Sequence, residues 1–311
     1  MVVSTDLNTK EQNVWPKNLI ERIRSVISIP VPTPQQPEFH FEMTEEAARR
    51  NFCILARHGK DLGKAIKRQC NSPIGYGSEF RAPESLAQIF SSHPNWTRME
   101  KILREGSSWP LEELDSDAKK SDLEEALEFG NHKGAVNNPE LLQNLIAKDV
   151  KHGYALPIPL SEIHRLPGAL MAPLNIMKQN SIDQYGQIIG KDRMTHDQSY
   201  KWGSGTSVNS RVRKQELLPC MFGGCLRRLI NWAVAARLKH PGCKILATKI
   251  DYASAFRREH LNWSTAIQTC TQFPLLDLAF IALRLTFGGA PGPYEWGQFL
   301  KQCVTLQMPF C

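Results

Sequence analysis

The sequence predicts an α+β fold in which a mainly helical N-terminal region precedes a mixed region of strands and helices. Residues 42–67 have apolar side chains at every third or fourth position, which is typical of an amphipathic helix. After Gly153 the chain consists of short apolar runs separated by proline and glycine, which favours strands and turns. With 311 residues and 41% hydrophobic side chains, the chain is large enough to bury a core.

The N-terminal half divides into two predicted segments. Residues 1–40 are polar and end in a run with four prolines, IPVPTPQQPEF, so we expect a disordered, Pro-rich segment. Residues 41–150 form a mainly helical region to which the sequence assigns no role. After the helix over residues 42–67, its predicted helices are Ser85 to Glu105, Asp122 to Phe129 with Ser121 as N-cap and Glu124 completing a capping box, and a helix that starts at Pro139.

Residues 151–311 are predicted to alternate strands with helices. Residues 181–197 have the alternation of a hairpin, with its turn near Gln184 to Gly186. The other predicted elements are a helix from Leu226 to Leu238 with one apolar face (Leu226, Leu229, Ile230, Ala233 and Val234), a strand from Ile245 to Ile250, a helix from Ala253 to His260, a strand from Ala279 to Leu285 and a helix from Pro293.

The composition indicates an intracellular protein. No run of 18 apolar residues is present, so we expect no transmembrane helix and no membrane partner. The polar N-terminus lacks the apolar segment of a signal peptide. The eight scattered cysteines are expected to be reduced thiols. We therefore expect the protein in the cytoplasm or the nucleus, and we expect that it is not secreted.

The positive charge of the chain is concentrated in its second half. Residues 101–150 contain 6 Lys/Arg and 11 Asp/Glu, whereas residues 201–262 contain 12 Lys/Arg and 3 Asp/Glu. A local net charge of +9 in the second stretch favours a polyanionic partner such as nucleic acid. The alternative is that these basic side chains lie on solvated helix faces and keep the protein soluble.

Asp251 is the candidate catalytic residue. It follows the apolar run of a predicted strand and precedes a segment that favours helix, so its carboxylate could act as a hard oxygen ligand for Mg²⁺. The alternative is a helix N-cap, for which aspartate is also well suited. Phe256 follows five positions later, and Arg257 and Arg258 come directly after it. The alternatives are that Phe256 packs in a helix–sheet core and that the two arginines flank the helix surface.

Two further segments contain candidate binding residues. The sequence LTFGGAP places Phe287 and the paired glycines that begin at Gly288 between a strand and a helix, where glycine lets the backbone approach a ligand closely. Lys191 and Arg193 lie on the predicted hairpin, and Arg and Lys are the usual side chains for phosphate oxygens. The alternatives are an ordinary strand-to-helix turn and an exposed basic hairpin surface.

Asp251 with Phe256, followed by LTFGGAP, resembles the first two palm motifs of reverse transcriptases, the RNA-directed DNA polymerases of retrotransposon polyproteins. The resemblance covers about residues 151–310 and implies a partial right-hand polymerase with fingers and an incomplete palm. It also implies RNA-templated DNA synthesis with two Mg²⁺ ions, and an RNA or DNA template-primer and a dNTP as partners. The implied roles are Asp251 as catalytic metal ligand, Phe256 beneath the incoming sugar, Phe287 and Gly288 against the nucleotide and template base, Lys191 and Arg193 on the triphosphate, and Arg257 and Arg258 on template or primer phosphates.

The chain departs from that family in its remaining carboxylates. Reverse transcriptases carry an adjacent Asp-Asp pair after the second motif, whereas here no Asp follows that motif and Asp277 precedes it. Because one carboxylate cannot hold two ions, we predict a truncated reverse-transcriptase-like domain, a gene fragment or pseudoenzyme, that does not polymerise DNA alone. The alternatives are an active polymerase completed by a continuation or partner chain, and a non-catalytic nucleic-acid-binding module that uses residues 201–262.

Overall fold

The fold combines helices with two antiparallel sheets, which confirms the predicted α+β class. The computed structural model describes residues 17–30, 38–69, 80–183, 185–217, 224–245 and 254–297. The helices that precede the first strand are α1 (Lys17–Ser28), α2 (Glu45–Arg57), α3 (Leu62–Gln69), α4 (Pro83–Phe90), α5 (Trp96–Glu105), α6 (Ser116–Phe129), α7 (Lys133–Val136) and α8 (Pro139–Lys151).

Several of these helices differ from the sequence-based expectation, including α2 and α3, which replace the single helix predicted over residues 42–67. α1 lies inside the segment expected to be disordered, and Val26 on it is buried. The single helix predicted from Ser85 to Glu105 is two helices, because Pro94 lacks the backbone N–H that a continuous helix would need. α6 begins earlier than predicted because Asp115 caps it, accepting hydrogen bonds from Asp117 N at 3.0 Å and Ala118 N at 2.9 Å. Ser121 is therefore an interior residue of α6 and not its N-cap.

A three-stranded antiparallel sheet forms the centre of the molecule. Its strands are β1 (Ala155–Pro159), β5 (Leu278–Ala282) and β4 (Thr271–Phe273), in that order across the sheet. Alternate side chains of β5 enter two hydrophobic clusters, with Ile281 on one face and Phe280 on the other. Asn51 of α2 donates a hydrogen bond of 2.8 Å to Pro157 O in β1. The N-terminal helices and the sheet therefore share one core.

The predicted hairpin is confirmed, but its first strand begins before the predicted range of residues 181–197: β2 (Leu174–Ile182) pairs with β3 (Ile188–His196). Its turn is held by Asp183, whose Oδ1 accepts hydrogen bonds from Tyr185 N and Gln187 N, both at 2.8 Å. Gly186 in this turn has a φ of 82°, a conformation that glycine adopts without strain. The first half of β3 is exposed, so the hairpin extends away from the central sheet.

The helix predicted from Ala253 to His260 is replaced by a short 3-10 turn at Ala255–Arg258. The buried Arg284 donates to the carbonyls of Arg257 at 3.1 Å and Arg258 at 3.3 Å, and Leu285 N donates to Glu259 O at 3.0 Å. These bonds draw the chain after the turn alongside residues 283–285. The carbonyl groups that a longer helix would need are thus committed to a neighbouring segment.

The last elements of the fold include α9 (Cys225–Lys239) and α10 (Trp263–Ala266). α9 confirms the predicted helix, but its predicted apolar face is open to solvent, with Leu226 70% exposed. Residues 292–297 are helical, as predicted for the segment around Pro293. Of the strand predicted before Asp251, Ile245 is the one residue within the described ranges. Asp251 also lies outside these ranges. None of the helices in the described ranges is long and apolar enough to cross a membrane.

Candidate functional site

A groove of about 780 Å³ lies beside the β2–β3 hairpin. Four parts of the chain line it besides β2: the C-terminal part of α8 with Tyr154, β3, the turn at residues 254–257, and the segment around Phe287 and Trp296. Sites for ligands of nucleotide size have volumes of roughly 300–1,000 Å³. The groove is therefore large enough for a nucleotide.

Five of the predicted site residues line this groove. Lys191 and Arg193 come from β3, Phe256 and Arg257 from the turn, and Phe287 from the end of the β5 segment. The predicted Gly288 directly follows Phe287, and Arg258 directly follows Arg257 but does not line the groove. Three motifs that are far apart in the sequence thus meet at one surface. Ser254, three positions after Asp251 in the sequence, also lines the groove.

Two aromatic rings and a guanidinium group are in consecutive contact in the groove. The ring centroids of Phe256 and Phe287 are 5.5 Å apart with an interplanar angle of 54°. The guanidinium carbon of Arg193 lies 5.7 Å from the centroid of Phe287, within the range of a cation–π contact. The Nε of Arg193 is buried and has no hydrogen-bond partner among the described residues. Arg193 as a whole is half-buried and lines the groove, so its positive charge contributes to the groove wall.

Arg257 is committed to contacts within the protein. Its side chain is 7% exposed, and its Nη2 donates to Asp149 Oδ2 at 2.6 Å. The same group lies 3.3 Å from His196 Nε2. This arrangement differs from the predicted contact of Arg257 with template or primer phosphates, because a buried guanidinium already paired with a carboxylate is not available to them. Asp149, which the sequence did not single out, supplies that carboxylate from α8.

The protonation states around Arg257 follow from burial. Burial, and then the charge of Arg257, hold the pKa of His196 well below its ordinary value, so the ring is neutral and Nε2 accepts from Arg257. Burial also raises the pKa of Asp149, while the charge of Arg257 acts in the opposite direction. The arginine therefore joins the hairpin, through His196, to α8, through Asp149.

The segment of residues 287–290, here called the glycine loop, is held tightly against the hairpin. Phe287 O accepts a hydrogen bond of 2.9 Å from His196 N. Gly288 has a φ of 129°, and a Cβ at this position would lie 1.8 Å from His196 O. Only glycine fits such a close approach of two backbones. Asn209, a residue with no predicted role, contacts the loop through its side-chain amide.

The charges on the groove wall favour an anionic ligand. Lys148, Lys191 and Arg193 line it together with two carboxylates, Asp149 and Asp192. Asp149 is already paired with Arg257, which leaves the three basic side chains in excess over Asp192. Lys148 and Lys191 are exposed, so their ammonium groups can reach phosphate oxygens as point charges.

The described part of the groove does not by itself provide a magnesium site. Across the described ranges, no three His, Cys, Asp or Glu side chains come together in a group that could hold a metal ion. Asp149 and Asp192 are the carboxylates on the groove wall, and the first of them is engaged by an arginine. The described lining residues therefore supply basic and aromatic side chains rather than the several oxygen ligands that a pair of divalent ions requires.

Comparison with known proteins found no matching family model, no matching curated protein and no matching solved structure.

Proposed function

We propose that this chain is a reverse-transcriptase-like domain whose groove binds a deoxynucleoside triphosphate beside a nucleic-acid template-primer. The observation that carries this proposal is the meeting of Lys191 and Arg193 with Phe256 and Phe287 in one groove. The motif resemblance assigns these four residues to the same nucleotide, although they come from three separate segments of the sequence. A chance similarity of short motifs gives no reason for the segments to converge.

Each groove residue has a defined part in this proposal. Lys191 and Arg193 bind the triphosphate, since both side chains carry a positive charge and both line the groove. Phe256 packs against the sugar, and Phe287 presents its ring beside the template base. Arg257 takes no part in phosphate binding and instead stabilises the groove wall through Asp149.

Catalysis by these 311 residues alone is not part of the proposal. Nucleotidyl transfer by two metal ions requires several carboxylate ligands, and the motif resemblance assigns only Asp251 to that role. In primer extension on an RNA template with Mg²⁺ or Mn²⁺, we expect no product from the wild-type chain and none from Asp251→Ala. Robust extension that depends on Asp251 would contradict the proposed inactivity.

The binding proposal is tested by titrating the chain with dNTPs in an isothermal or fluorescence assay. We expect Lys191→Ala with Arg193→Ala to weaken dNTP binding by more than about 100-fold, since each charged hydrogen bond contributes roughly 1.5–3 kcal/mol and two are lost. Lys178→Ala is the matched control, because Lys178 is an exposed lysine of the same hairpin that does not line the groove. If the double variant and the control lose the same amount of dNTP affinity, a specific triphosphate site is refuted.

A second candidate function is non-catalytic nucleic-acid binding through the basic stretch of residues 201–262. The observation that favours it is α9, whose charged side chains are all basic and which includes the exposed Arg227 and Lys239. This function predicts RNA or DNA binding that weakens with salt and survives Asp251→Ala. Arg227→Glu with Lys239→Glu should weaken binding and lower the salt slope by about 1 for each phosphate that is no longer neutralised. Binding unaffected by this double charge reversal would exclude α9 as the surface that binds nucleic acid.

A further inference from the structure

We infer that Asn209 is a positioning residue that fixes the glycine loop and thereby shapes the nucleotide groove. This inference rests on the proposed dNTP-binding function. Asn209 lies in the segment after β3 and does not line the groove. It therefore acts on the ligand only through the loop that it holds.

The side-chain amide of Asn209 uses all of its hydrogen-bonding groups in one orientation. Its Nδ2 donates to Gly288 O at 2.6 Å and to Ser199 Oγ at 2.9 Å. Its Oδ1 accepts from Ala290 N at 2.7 Å. A flipped amide would bring two oxygens together at Gly288 and two N–H donors together at Ala290, so only one orientation satisfies both loop contacts.

Asn209 is itself anchored to the chain that follows the hairpin. Its backbone N–H donates to Gln198 O at 2.9 Å, two residues beyond the end of β3. The side chain of Gln198 in turn donates to Thr286 Oγ1 at 2.7 Å, just before the glycine loop. The loop is thus connected twice to the segment that continues from the hairpin.

The position of the loop determines the position of Phe287. The ring of this residue lies between Phe256 and the guanidinium group of Arg193. A loop released from Asn209 retains the backbone bond from His196 to Phe287, about which it can pivot. Pivoting would separate the two aromatic rings and the guanidinium group that the proposed function assigns to the nucleotide. We therefore expect Asn209 to affect dNTP affinity more than it affects affinity for a template-primer, which is bound over a larger surface.

The test compares Asn209→Ala and Asn209→Asp with a matched control, Asn138→Ala. Asn138 also donates to a glycine carbonyl, Gly134 O at 2.9 Å, but it lies outside the groove. In the full chain we expect Asn209→Ala to bind dNTP about tenfold more weakly, with template-primer affinity unchanged. Asn209→Asp should bind dNTP equally weakly. Its carboxylate can still accept the hydrogen bond from Ala290 N, but it has no N–H group to donate to Gly288 O. The control should bind as the wild type does.

Amide hydrogen exchange gives a second readout that does not depend on nucleotide binding. We expect the Ala290 amide to exchange about tenfold faster in Asn209→Ala than in the wild type, while the amides of β5 keep their protection. Wild-type dNTP binding with unchanged affinity in both Asn209 variants would overturn the positioning role and leave the proposed function intact. No dNTP binding by the wild type would overturn both, and unchanged Ala290 exchange would overturn the anchoring of the loop.

Discussion

Replacing Arg257 with methionine separates the two roles that this residue could have. If Arg257 contacts nucleic acid, as the sequence suggests, its loss should weaken binding and leave folding unaffected. If it holds Asp149 inside the groove wall, its loss should instead destabilise the fold. The structure favours the second role, because the side chain of Arg257 is 7% exposed and that of Asp149 is 17% exposed.

The size of the effect follows from burial. Removing one partner of a buried ion pair costs about 3–5 kcal/mol, because the remaining charge is left without compensation. Asp149 keeps some solvent contact, and the charges of His152 and Lys148 also favour its ionised form. We therefore expect Arg257→Met to lower the free energy of unfolding by about 3 kcal/mol, at the lower end of that range.

A double-mutant cycle with Asp149→Asn isolates the pair. The double variant leaves neither charge of the pair buried, so it should be more stable than the sum of the single losses predicts, with a coupling energy of about 2 kcal/mol. Arg50→Met is the control, since Arg50 pairs with Glu46 at the surface with its side chain 57% exposed, and it should cost less than about 1 kcal/mol. Urea unfolding measures all four variants. A loss in Arg257→Met no larger than that of the control would refute the structural role.

Two further perturbations test the surroundings of the groove. Gly288→Ala should destabilise the protein by about 3 kcal/mol, because position 288 has a positive φ and the added Cβ would clash with His196 O. Gly190→Ala is the control and should have almost no effect, since no atom lies within 4 Å of a Cβ at that position. Equal unfolding midpoints for the two variants would contradict the tight packing of the glycine loop. Burial, and then the nearby Glu295, raise the pKa of Glu259 well above its ordinary value of 4.5. The stability contributed by this proton is fully present below pH 4.5 and is lost as the pH rises through the pKa of the folded state. Glu259→Gln should therefore gain stability relative to the wild type as the pH rises above 4.5. A stability difference that stays constant with pH in urea titrations would rule out the buried proton.

Elements with a strong local signal could be predicted from the sequence. The β2–β3 hairpin follows from alternation and from a turn that Asp183 closes through its own neighbours. α8 begins at the predicted Pro139, where proline has no N–H to lose. The candidate groove residues Lys191, Arg193, Phe256 and Phe287 could also be named in advance, because each stands in or beside a short motif.

Features that depend on distant contacts could not be predicted. The turn at Ala255–Arg258 reads locally as part of a helix, and it ends because Arg284 takes its carbonyl groups. Asp149 has no local sign that marks it as a partner of Arg257, since the two are 108 positions apart in the sequence. Asn209 follows Val208 in an ordinary polar stretch, and its contact with the glycine loop arises only when the fold brings residues 288–290 to it.

The helical region before residue 150 acquires a role that its sequence did not suggest. Its last helix, α8, contributes Lys148 and Asp149 to the groove, and His152 follows directly after it. Asp149 on this helix compensates the charge of Arg257. Without that carboxylate, Arg257 would be a buried and uncompensated charge in the turn that also carries Phe256. Part of the groove wall thus comes from residues that precede 151–311. The groove therefore extends into the N-terminal helices, beyond residues 151–311.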